Sequence, residues 1–266
     1  MRLLKKPVKI SVVMSVFNGG MYLREAIESI LNQSYKNFEF IIVNDGSNDN
    51  SLSIIRHYMS VDDRVVLISH ENKGLTKSLN VGLKHVTGDY VARMDADDIS
   101  SPNRFTKFLK FAESNRPVSV YSTPALLINE KGDYIKIIPR YIQRHGFDIR
   151  MLNCRNILIH GTLIIETALI KKYKYNSEYI FSQDFELYQR LIENGFDISY
   201  DASNISYKLR HHLDQISIKS NSSQLGFFNK VVSRNKGCIK NANIRSLYFL
   251  LSDIYFFIYK IVKKLI

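Results

Sequence analysis

The first hundred residues alternate short apolar runs with amphipathic stretches. The apolar runs are rich in β-branched residues and predict four strands, at residues 9–15, 38–44, 65–69 and 89–94. Between them, apolar residues recur at a helical spacing and predict three helices, at residues 21–33, 51–59 and 75–86. This regular order predicts an α/β fold, with a mainly parallel sheet and helices on both of its faces.

Beyond residue 100 the pattern becomes irregular. Ser101 and Pro102 are typical of a helix start, because serine caps a helix and proline fits its first turn, and we expect this helix to run towards Asn115. Three further strands are predicted, at residues 118–122, 126–129 and 134–138. We therefore expect the second half to be a mixed α/β region.

The end of the chain is dominated by Leu, Ile, Phe and Tyr. Residues 246–264 are interrupted by Ser252 and Asp253, and their apolar runs are shorter than the ~20 residues that span a bilayer. An amphipathic helix at a membrane interface fits this pattern, and so does a terminal helix packed on the core or on a second subunit. We expect residues 218–266 to form such a helical segment.

Composition indicates a folded chain. Its 266 residues are 45% hydrophobic and 23% charged, which lacks the polar bias of disordered proteins. Cys154 and Cys238 match neither a disulfide framework nor a zinc-ligand spacing, so we expect ordinary thiols in a reducing compartment. The opening residues contain no apolar run of signal-peptide length, and the cytoplasm is the expected location.

The chain is strongly basic. Lys and Arg total 37 against 25 Asp and Glu, which gives a formal net charge of +12. Such a charge favours an anionic partner, which could be nucleic acid, an anionic membrane surface or a phosphorylated ligand. The sequence carries no nucleic-acid-binding motif, so we expect no nucleic acid partner. It favours no particular oligomeric state.

Polar residues follow three of the predicted strands, at residues 15–20, 44–47 and 93–98. Each segment alone is explained by turn chemistry, by a helix cap or by a solvated acidic loop. Together they stand at the carboxyl ends of successive strands, where open α/β sheets bind their ligands. The sequence therefore predicts one ligand site at this edge of the sheet.

Three carboxylates, those of Asp95, Asp97 and Asp98, fall within four residues. They repel one another, and a divalent cation is the usual agent that makes such a cluster favourable. Oxygen ligands favour Mn²⁺ or Mg²⁺, and a cation held by one or two carboxylates keeps positions open for a diphosphate. Arg93 lies on the same face of its strand as Asp95 and would add positive charge, so a nucleotide diphosphate is the expected anion.

The set of motifs Ser-Val-Phe-Asn at residues 15–18, Asn-Asp-Gly-Ser at 44–47, Asn-Lys-Gly at 72–74 and Arg-Met-Asp-Ala-Asp-Asp at 93–98 resembles glycosyltransferase family 2, which has the GT-A fold. The order and spacing match over residues 8–217. A Walker-type Gly-rich loop, as in kinases and ATPases, is not present in the sequence. The resemblance implies a GT-A domain at residues 1–217, with a nucleotide-sugar-binding half at 8–100 and an acceptor-binding half at 101–217.

The resemblance also implies roles for residues of the first half. Phe17 and Asn18 would lie at the base pocket, and Asp45 would accept a hydrogen bond from a pyrimidine imide, which suggests UDP. Lys73, Arg93 and Asp95 would complete the nucleotide-sugar site. Asp97 and Asp95 would hold the Mn²⁺ or Mg²⁺ ion, whereas Asp98 would either support that site or contact the acceptor.

In the second half, the resemblance aligns Asp184 of Ser-Gln-Asp-Phe-Glu-Leu, residues 182–187, with the catalytic base. Gln183 replaces the commoner Glu. Asp184 also suits the first turn of a helix, where the dipole favours an acid, and the two roles are compatible. His160 would border the acceptor and donor sugars. In the closing segment, His212 would reach the metal or the diphosphate and Arg210 would neutralise leaving-group charge, although Arg210 is displaced from its usual place.

The resemblance implies an inverting transfer of a hexose or N-acetylhexosamine from a UDP-sugar donor. Short bacterial members of the family suggest an undecaprenyl-diphosphate-linked saccharide acceptor in O-antigen, lipopolysaccharide or capsule synthesis, with the protein peripheral on the anionic inner face of the cell membrane. Two alternatives stay open, a non-catalytic nucleotide-sugar-binding module and a nucleotidyltransferase. The donor sugar, the acceptor and the linkage are not determined by the sequence.

Overall fold

The computed structural model describes residues 7–115, 117–153, 156–213, 215 and 221–234. Its central sheet begins with four mutually parallel strands, β1 (Ile10–Val16), β2 (Phe38–Asp45), β3 (Val65–His70) and β4 (Tyr90–Met94). They lie in the order β4-β1-β2-β3, so their carboxyl ends meet at one edge. The predicted parallel arrangement is confirmed.

Three helices connect these strands: α1 (Leu23–Leu31), α2 (Ser51–Val61) and α3 (Leu75–Leu83). Val12 and Met14 of β1 pack in one hydrophobic cluster with the buried faces of α1 and α2, whereas Val13 packs in a second cluster with α3. Alternate residues of a strand point to opposite faces, which explains this division. The helices therefore cover both faces of the sheet, as predicted.

The later elements are shorter and more varied. The strands are β5 (Ile99–Ser100), β6 (Val120–Ser122), β7 (Ala125–Ile128), β8 (Tyr134–Ile138), β9 (Ile164–Glu166), β10 (Ser199–Tyr200) and β11 (Tyr207–Arg210). The helices are α4 (Arg104–Ser114), α5 (Arg140–His145), α6 (Thr167–Tyr173), α7 (Gln183–Glu193) and α8 (Asn221–Arg234), with 3₁₀ turns at Ile149–Asn153 and His160–Thr162. The predicted mixed second half is confirmed.

Helix α4 begins at Arg104, two residues after Pro102, which was the predicted first helical residue. The Ser101 backbone N–H donates to the Ser206 carbonyl at 2.9 Å, and the Ser101 carbonyl accepts from the Gln33 side chain at 2.7 Å. These long-range bonds hold the segment before α4 against other parts of the fold. Tertiary contacts therefore override the local capping signal.

The two halves of the chain share the central sheet. Its seven strands lie in the order β10-β6-β9-β4-β1-β2-β3, and β9 runs antiparallel to both β4 and β6. A second sheet of four strands, in the order β5-β11-β7-β8, brings β11 beside the segment that follows β4. This pairing carries residues near 210 to the carboxyl edge of the central sheet.

Helix α8 packs against α7. The rings of Phe185 and Phe228 stack with their centroids 4.9 Å apart, and Val231 is buried in the same small cluster. Within the described ranges, no helix has the length and apolar character needed to cross a bilayer. The predicted apolar segment at 246–264 and both cysteines lie outside the described residues.

Candidate active site

The loops after β1 and β2 are joined by hydrogen bonds. Asn18 accepts from the Asn48 backbone at 2.9 Å through Oδ1, and its own N–H donates to Ser47 Oγ at 3.1 Å. Asn18 has a positive φ of 52°, a conformation that asparagine tolerates better than most residues. The neighbouring Phe17 ring is 51% exposed. The polar segments after β1 and β2 therefore lie together, and the exposed Phe17 ring lies beside them.

Asp45 ends β2 and is buried. Its Oδ1 accepts from the Lys73 backbone N–H at 2.7 Å and its Oδ2 from the Gly74 N–H at 3.0 Å. Gly46 has a φ of +70°, and a Cβ there would lie 2.5 Å from the Asn72 nitrogen. Asp45 thus holds the loop after β3 against the strand tip. A carboxylate oxygen can accept a second hydrogen bond, so the two Asp45 oxygens can still accept one from a ligand.

Arg93 lies beneath Asp95. The Arg93 guanidinium is 3% exposed and donates to Asp95 Oδ1 at 2.5 Å, while the Asp95 side chain is 31% exposed. Burial raises the pKa of Asp95; Arg93 opposes this rise, and the charges of Asp97 and Asp184 add to it. Arg93 and Asp95 therefore form an ion pair, in which the cation is buried and the carboxylate is partly exposed.

Asp97 and His212 meet directly. His212 Nε2 lies 2.9 Å from Asp97 Oδ2, and the Tyr22 ring packs 5.1 Å from the His212 ring. Carboxylate oxygen and imidazole nitrogen are both ligands of Mn²⁺, so this pair fits a divalent cation. No group of three His, Cys, Asp or Glu side chains arranged for a metal is found among the described residues. Further ligands would have to come from movement of Asp95 or from a bound diphosphate.

Asp98 is buried under the same loop. Its Oδ2 accepts from the Tyr207 hydroxyl and its Oδ1 from the Arg210 backbone N–H, each at 2.8 Å. Burial raises the pKa of Asp98 well above its usual range, and the charges of Asp97 and Asp95 raise it further. Of the two roles implied for Asp98, this geometry favours support of the site over contact with the acceptor.

Arg210 is 2% exposed and its guanidinium is occupied by the protein. It donates to the Asp97 carbonyl at 3.0 Å and the Glu130 carbonyl at 2.9 Å, and it forms an ion pair with Glu25. The guanidinium also lies 4.5 Å from the centre of the Tyr22 ring. These contacts indicate that Arg210 holds residues 95–98, called the acidic loop below, in place. The resemblance implies a different role, in which Arg210 would neutralise the charge of the leaving group.

Asp184 is the second residue of α7 and faces the same site. Asn156 Nδ2 donates to Asp184 Oδ2 at 2.8 Å. Burial raises the pKa of Asp184, and this hydrogen bond together with the Arg93 charge lowers it only in part. The Asp184 charge raises the pKa of Asp95, so the two carboxylates lie within electrostatic reach of each other.

His160 lies in the short 3₁₀ turn before β9. Its Nε2 lies 2.8 Å from the Tyr175 hydroxyl. Burial lowers the pKa of His160 well below its usual range, and the Arg93 charge lowers it further, so the imidazole is neutral. His160 therefore borders the site as an uncharged group.

Three groups in the site have no role in the sequence prediction: Asn156, Tyr175 and Tyr207. Tyr207 is the most connected, because its hydroxyl donates to Asp98 and also accepts from the Asp95 N–H at 3.2 Å. A Cβ on Gly161 would lie 2.2 Å from that hydroxyl, so only glycine fits there. Tyr207 is the first residue of the closing segment of the family resemblance, residues 207–217. Its place in that segment was the only sequence feature that pointed to Tyr207. The segment around Asn156 offered none.

Open α/β sheets bind their ligands beyond the carboxyl ends of the parallel strands, and the amide and carboxylate side chains described above lie at that edge. The model of Glycosyl transferase family 2 matches residues 11–194, and the chain belongs to that family. It is a glycosyltransferase, and the resemblance found in the sequence is confirmed.

Relatives of this chain span most of its length. It is 36% identical over 218 residues to the putative glycosyltransferase EpsE of Bacillus subtilis, covering 80% of this chain and 76% of EpsE. It is 32% identical over 193 residues to the O-antigen biosynthesis glycosyltransferase WbnJ of Escherichia coli, covering 72% and 75%.

Solved structures share the fold. S. aureus TarS in complex with UDP-GlcNAc superposes with a TM-score of 0.66 at 21% identity, over 80% of this chain and 61% of that chain. A mannosyltransferase from Pyrobaculum calidifontis in complex with GDP-Man and Mn²⁺ superposes with a TM-score of 0.63 at 17% identity, over 84% and 65%. The chain thus has the GT-A fold and covers less than two thirds of each of these solved chains.

Proposed function

We propose that this glycosyltransferase transfers a hexose or N-acetylhexosamine from a UDP-sugar with inversion at the anomeric carbon. The observation that carries the proposal is the pairing of Asp97 with His212 beside the Asp95–Arg93 ion pair at the carboxyl edge of the sheet. The Asp184 charge raises the pKa of Asp95, which agrees with a base close to this site. A transferase needs a carboxylate for the acceptor beside a site for the donor diphosphate. The one neighbourhood supplies both.

The donor would bind along the strand tips. The exposed Phe17 ring offers a stacking surface for the base, Asn18 lies beside it, and the Asp45 carboxylate has acceptor capacity for a pyrimidine imide. The exposed side chain of Lys73 would meet the negative charge of the nucleotide. TarS is described with UDP-GlcNAc and the Pyrobaculum calidifontis enzyme with GDP-Man, which supports a nucleotide-diphosphate sugar as donor, and the preference for UDP rests on Asp45.

Asp97 and His212, with Asp95 nearby, are the residues that would hold Mn²⁺ or Mg²⁺. When bound, the cation would supply positive charge for the departing diphosphate. The Mn²⁺ described with the Pyrobaculum calidifontis enzyme supports a divalent ion of this kind. Arg93 and Arg210 act from below, by holding Asp95 and the Asp97 carbonyl in place.

In the transfer step, Asp184 accepts the proton of an acceptor hydroxyl. The acceptor oxygen forms a bond to the anomeric carbon while the bond from that carbon to the UDP oxygen breaks, and UDP leaves with the electron pair. A single displacement of this kind inverts the configuration. Burial raises the pKa of Asp184, which brings its basicity closer to that required of a general base.

The acceptor we propose is a saccharide linked to undecaprenyl diphosphate at the inner face of the cell membrane. The net charge of +12 and the apolar residues 246–264 favour an anionic membrane surface, and the relative WbnJ is named for O-antigen biosynthesis. Flotation with phosphatidylglycerol vesicles tests this. Equal flotation of the full chain and of a chain ending at Asn243 would exclude a membrane role for the terminal segment.

The central test is Asp184→Asn. We expect UDP release from UDP-sugars in Mn²⁺ to fall about a thousandfold, because a general base contributes about 10² to 10⁴ in rate, while UDP affinity stays the same. UDP-glucose, UDP-galactose and their N-acetyl forms are the donors to compare. A folded variant that binds UDP and keeps the wild-type rate would overturn the assignment, and UDP binding without turnover by the wild-type chain would favour a non-catalytic module.

A further inference from the structure

Within the part of the chain that the structure describes, the Asn156 side chain makes one hydrogen bond, and it is to the proposed base. Its Nδ2 donates to Asp184 Oδ2 at 2.8 Å. An ionised carboxylate can only accept hydrogen bonds, so the amide NH₂ must face Asp184 and the amide oxygen must face away. The orientation of the Asn156 amide is therefore determined by its partner.

Among the described residues, the buried Asn156 Oδ1 has no hydrogen-bond partner, and the same is true of the Tyr188 hydroxyl and of Arg93 Nε. All three side chains belong to the surroundings of Asp184, since the Asp184 charge raises the pKa of Tyr188 and Arg93 lowers that of Asp184. Unpartnered buried polar atoms cost free energy, and they cluster where a ligand supplies the missing partners. A saccharide hydroxyl beside Asp184 would supply them.

An asparagine amide can have both of its ends bonded within the protein. Asn80 shows this in the same region, because it donates to the Tyr175 carbonyl at 2.8 Å and accepts from the Tyr175 N–H at 3.0 Å. Asn156 differs from Asn80, because its NH₂ group donates to a carboxylate whereas its amide oxygen has no partner among the described residues. Asn204 also has an open Oδ1, but its Nδ2 donates to the Tyr121 hydroxyl, so the bond to the proposed base is what distinguishes Asn156.

We propose that Asn156 is a positioning residue for transfer, which fixes the Asp184 carboxylate so that its second oxygen faces the acceptor hydroxyl. The inference rests on the proposed role of Asp184 as the base. The hydrogen bond favours the ionised form of Asp184 and opposes the effect of burial. The charged and titratable groups around Asp184 are Arg93, Asp95, Tyr175 and Tyr188.

The first measurement needs no substrate. In the full chain labelled with ¹³C-aspartate, the Asp184 carboxyl carbon is titrated by NMR in the wild type, in Asn156→Ala and in Asn194→Ala. Asn194 is a matched control, because its amide bonds only the Arg190 carbonyl at the far end of α7. We expect an upward shift of the Asp184 pKa in Asn156→Ala alone. An unchanged titration would overturn the proposal, whatever the donor sugar.

The second measurement is UDP release from UDP-GlcNAc with Mn²⁺. Removing a hydrogen bond to a charged group is worth about 1.5 to 3 kcal/mol, so Asn156→Ala should slow release about ten- to a hundredfold. Because Asn156 acts through Asp184, the double variant with Asp184→Asn should be no slower than Asp184→Asn alone. Additive losses would indicate a merely structural role.

The two proposals fail differently. A wild-type rate in Asp184→Asn would overturn the base itself. A slow Asp184→Asn beside an unimpaired Asn156→Ala with an unshifted titration would remove only Asn156 from the mechanism.

Discussion

Two carboxylate sites occupy opposite edges of the same sheet, and their environments differ. At the amino edge, Glu39 accepts from Lys9 Nζ at 2.8 Å, from Ser11 Oγ at 2.5 Å and from the Thr87 N–H at 2.6 Å. At the carboxyl edge, Asp95, Asp97 and Asp98 stand beside one another. One site surrounds an acid with donors, and the other gathers acids together.

The pKa values respond accordingly. Burial raises the pKa of Glu39, but the hydrogen bonds from Lys9, Ser11 and Thr87 outweigh it and lower the pKa to about 2. At the other edge burial prevails, and the pKa values of Asp95, Asp98 and Asp184 are raised. Glu39 is thus arranged for stability, whereas the carboxyl-edge cluster keeps an electrostatic cost that a cation or substrate would relieve.

Among the changes that compare the two edges, the largest effect is expected for Asp97→Asn. The variant loses a proposed metal ligand, and we expect UDP release in Mn²⁺ to fall about a hundred- to a thousandfold. Its free energy of unfolding should stay equal or rise, because one of the repelling charges is gone. Steady-state assays and urea unfolding measure the two quantities, with the exposed Asp63→Asn as control. A strongly destabilised Asp97→Asn would contradict the division between the two edges.

Glu39→Gln should show the opposite pattern. A pKa lowered from 4.5 to about 2 corresponds to about 3 kcal/mol of stability at neutral pH. We expect urea unfolding to report a loss of that order, while UDP release per folded molecule is unchanged. Glu113→Gln, an exposed site on α4, is the matched control. A Glu39→Gln variant that is stable but inactive would contradict the assignment of activity to the carboxyl edge alone.

The stability from Glu39 should also depend on pH with a definite sign. Because the folded-state pKa is depressed, the contribution is complete above the unfolded value of 4.5 and is lost as pH falls towards about 2. The difference in unfolding free energy between wild type and Glu39→Gln should therefore shrink across this window. A difference that stayed constant down to about pH 2 would show that its origin is not ionisation.

The smallest effect is expected for Tyr207→Phe. The change leaves the buried Asp98 Oδ2 and the Asp95 N–H without the Tyr207 hydroxyl, which costs about 1 to 2 kcal/mol of stability. UDP release should fall a few-fold, since the acidic loop loses a support but no ligand. Thermal unfolding and initial rates check both. A loss as large as that of Asp97→Asn would mean that the hydroxyl acts on the substrate itself.

Much of the donor side could be predicted from the sequence, because its residues follow strands with a clear apolar pattern. Parallel strands bring Asn18, Asp45 and Asp95 to the same edge of the sheet, whatever the detailed packing of the helices. The local sequence pattern was therefore sufficient to predict that these residues lie at one edge. The boundaries of the four strands agree with prediction to within one residue.

The acceptor side was less predictable, because its contacts join distant segments. The two-residue strands β5 and β10 carry too little pattern to be recognised, and the partners of Arg210 come from α1, the acidic loop and the turn after β7. The motif spacing pointed to Arg210 as a site residue. It did not predict that the Arg210 guanidinium is hydrogen-bonded to other parts of the protein. Asn156 follows no strand and matched no motif, so only its contact with Asp184 revealed it.

The insertion of β9 between β4 and β6 has a consequence for how the chain folds. Neither the donor half nor the acceptor half can complete the central sheet alone, so we expect one cooperative unfolding transition for the two halves and not two. A fragment ending at residue 100 would leave the edge of β4 open to pairing with other chains, and self-association of that fragment is the expected result.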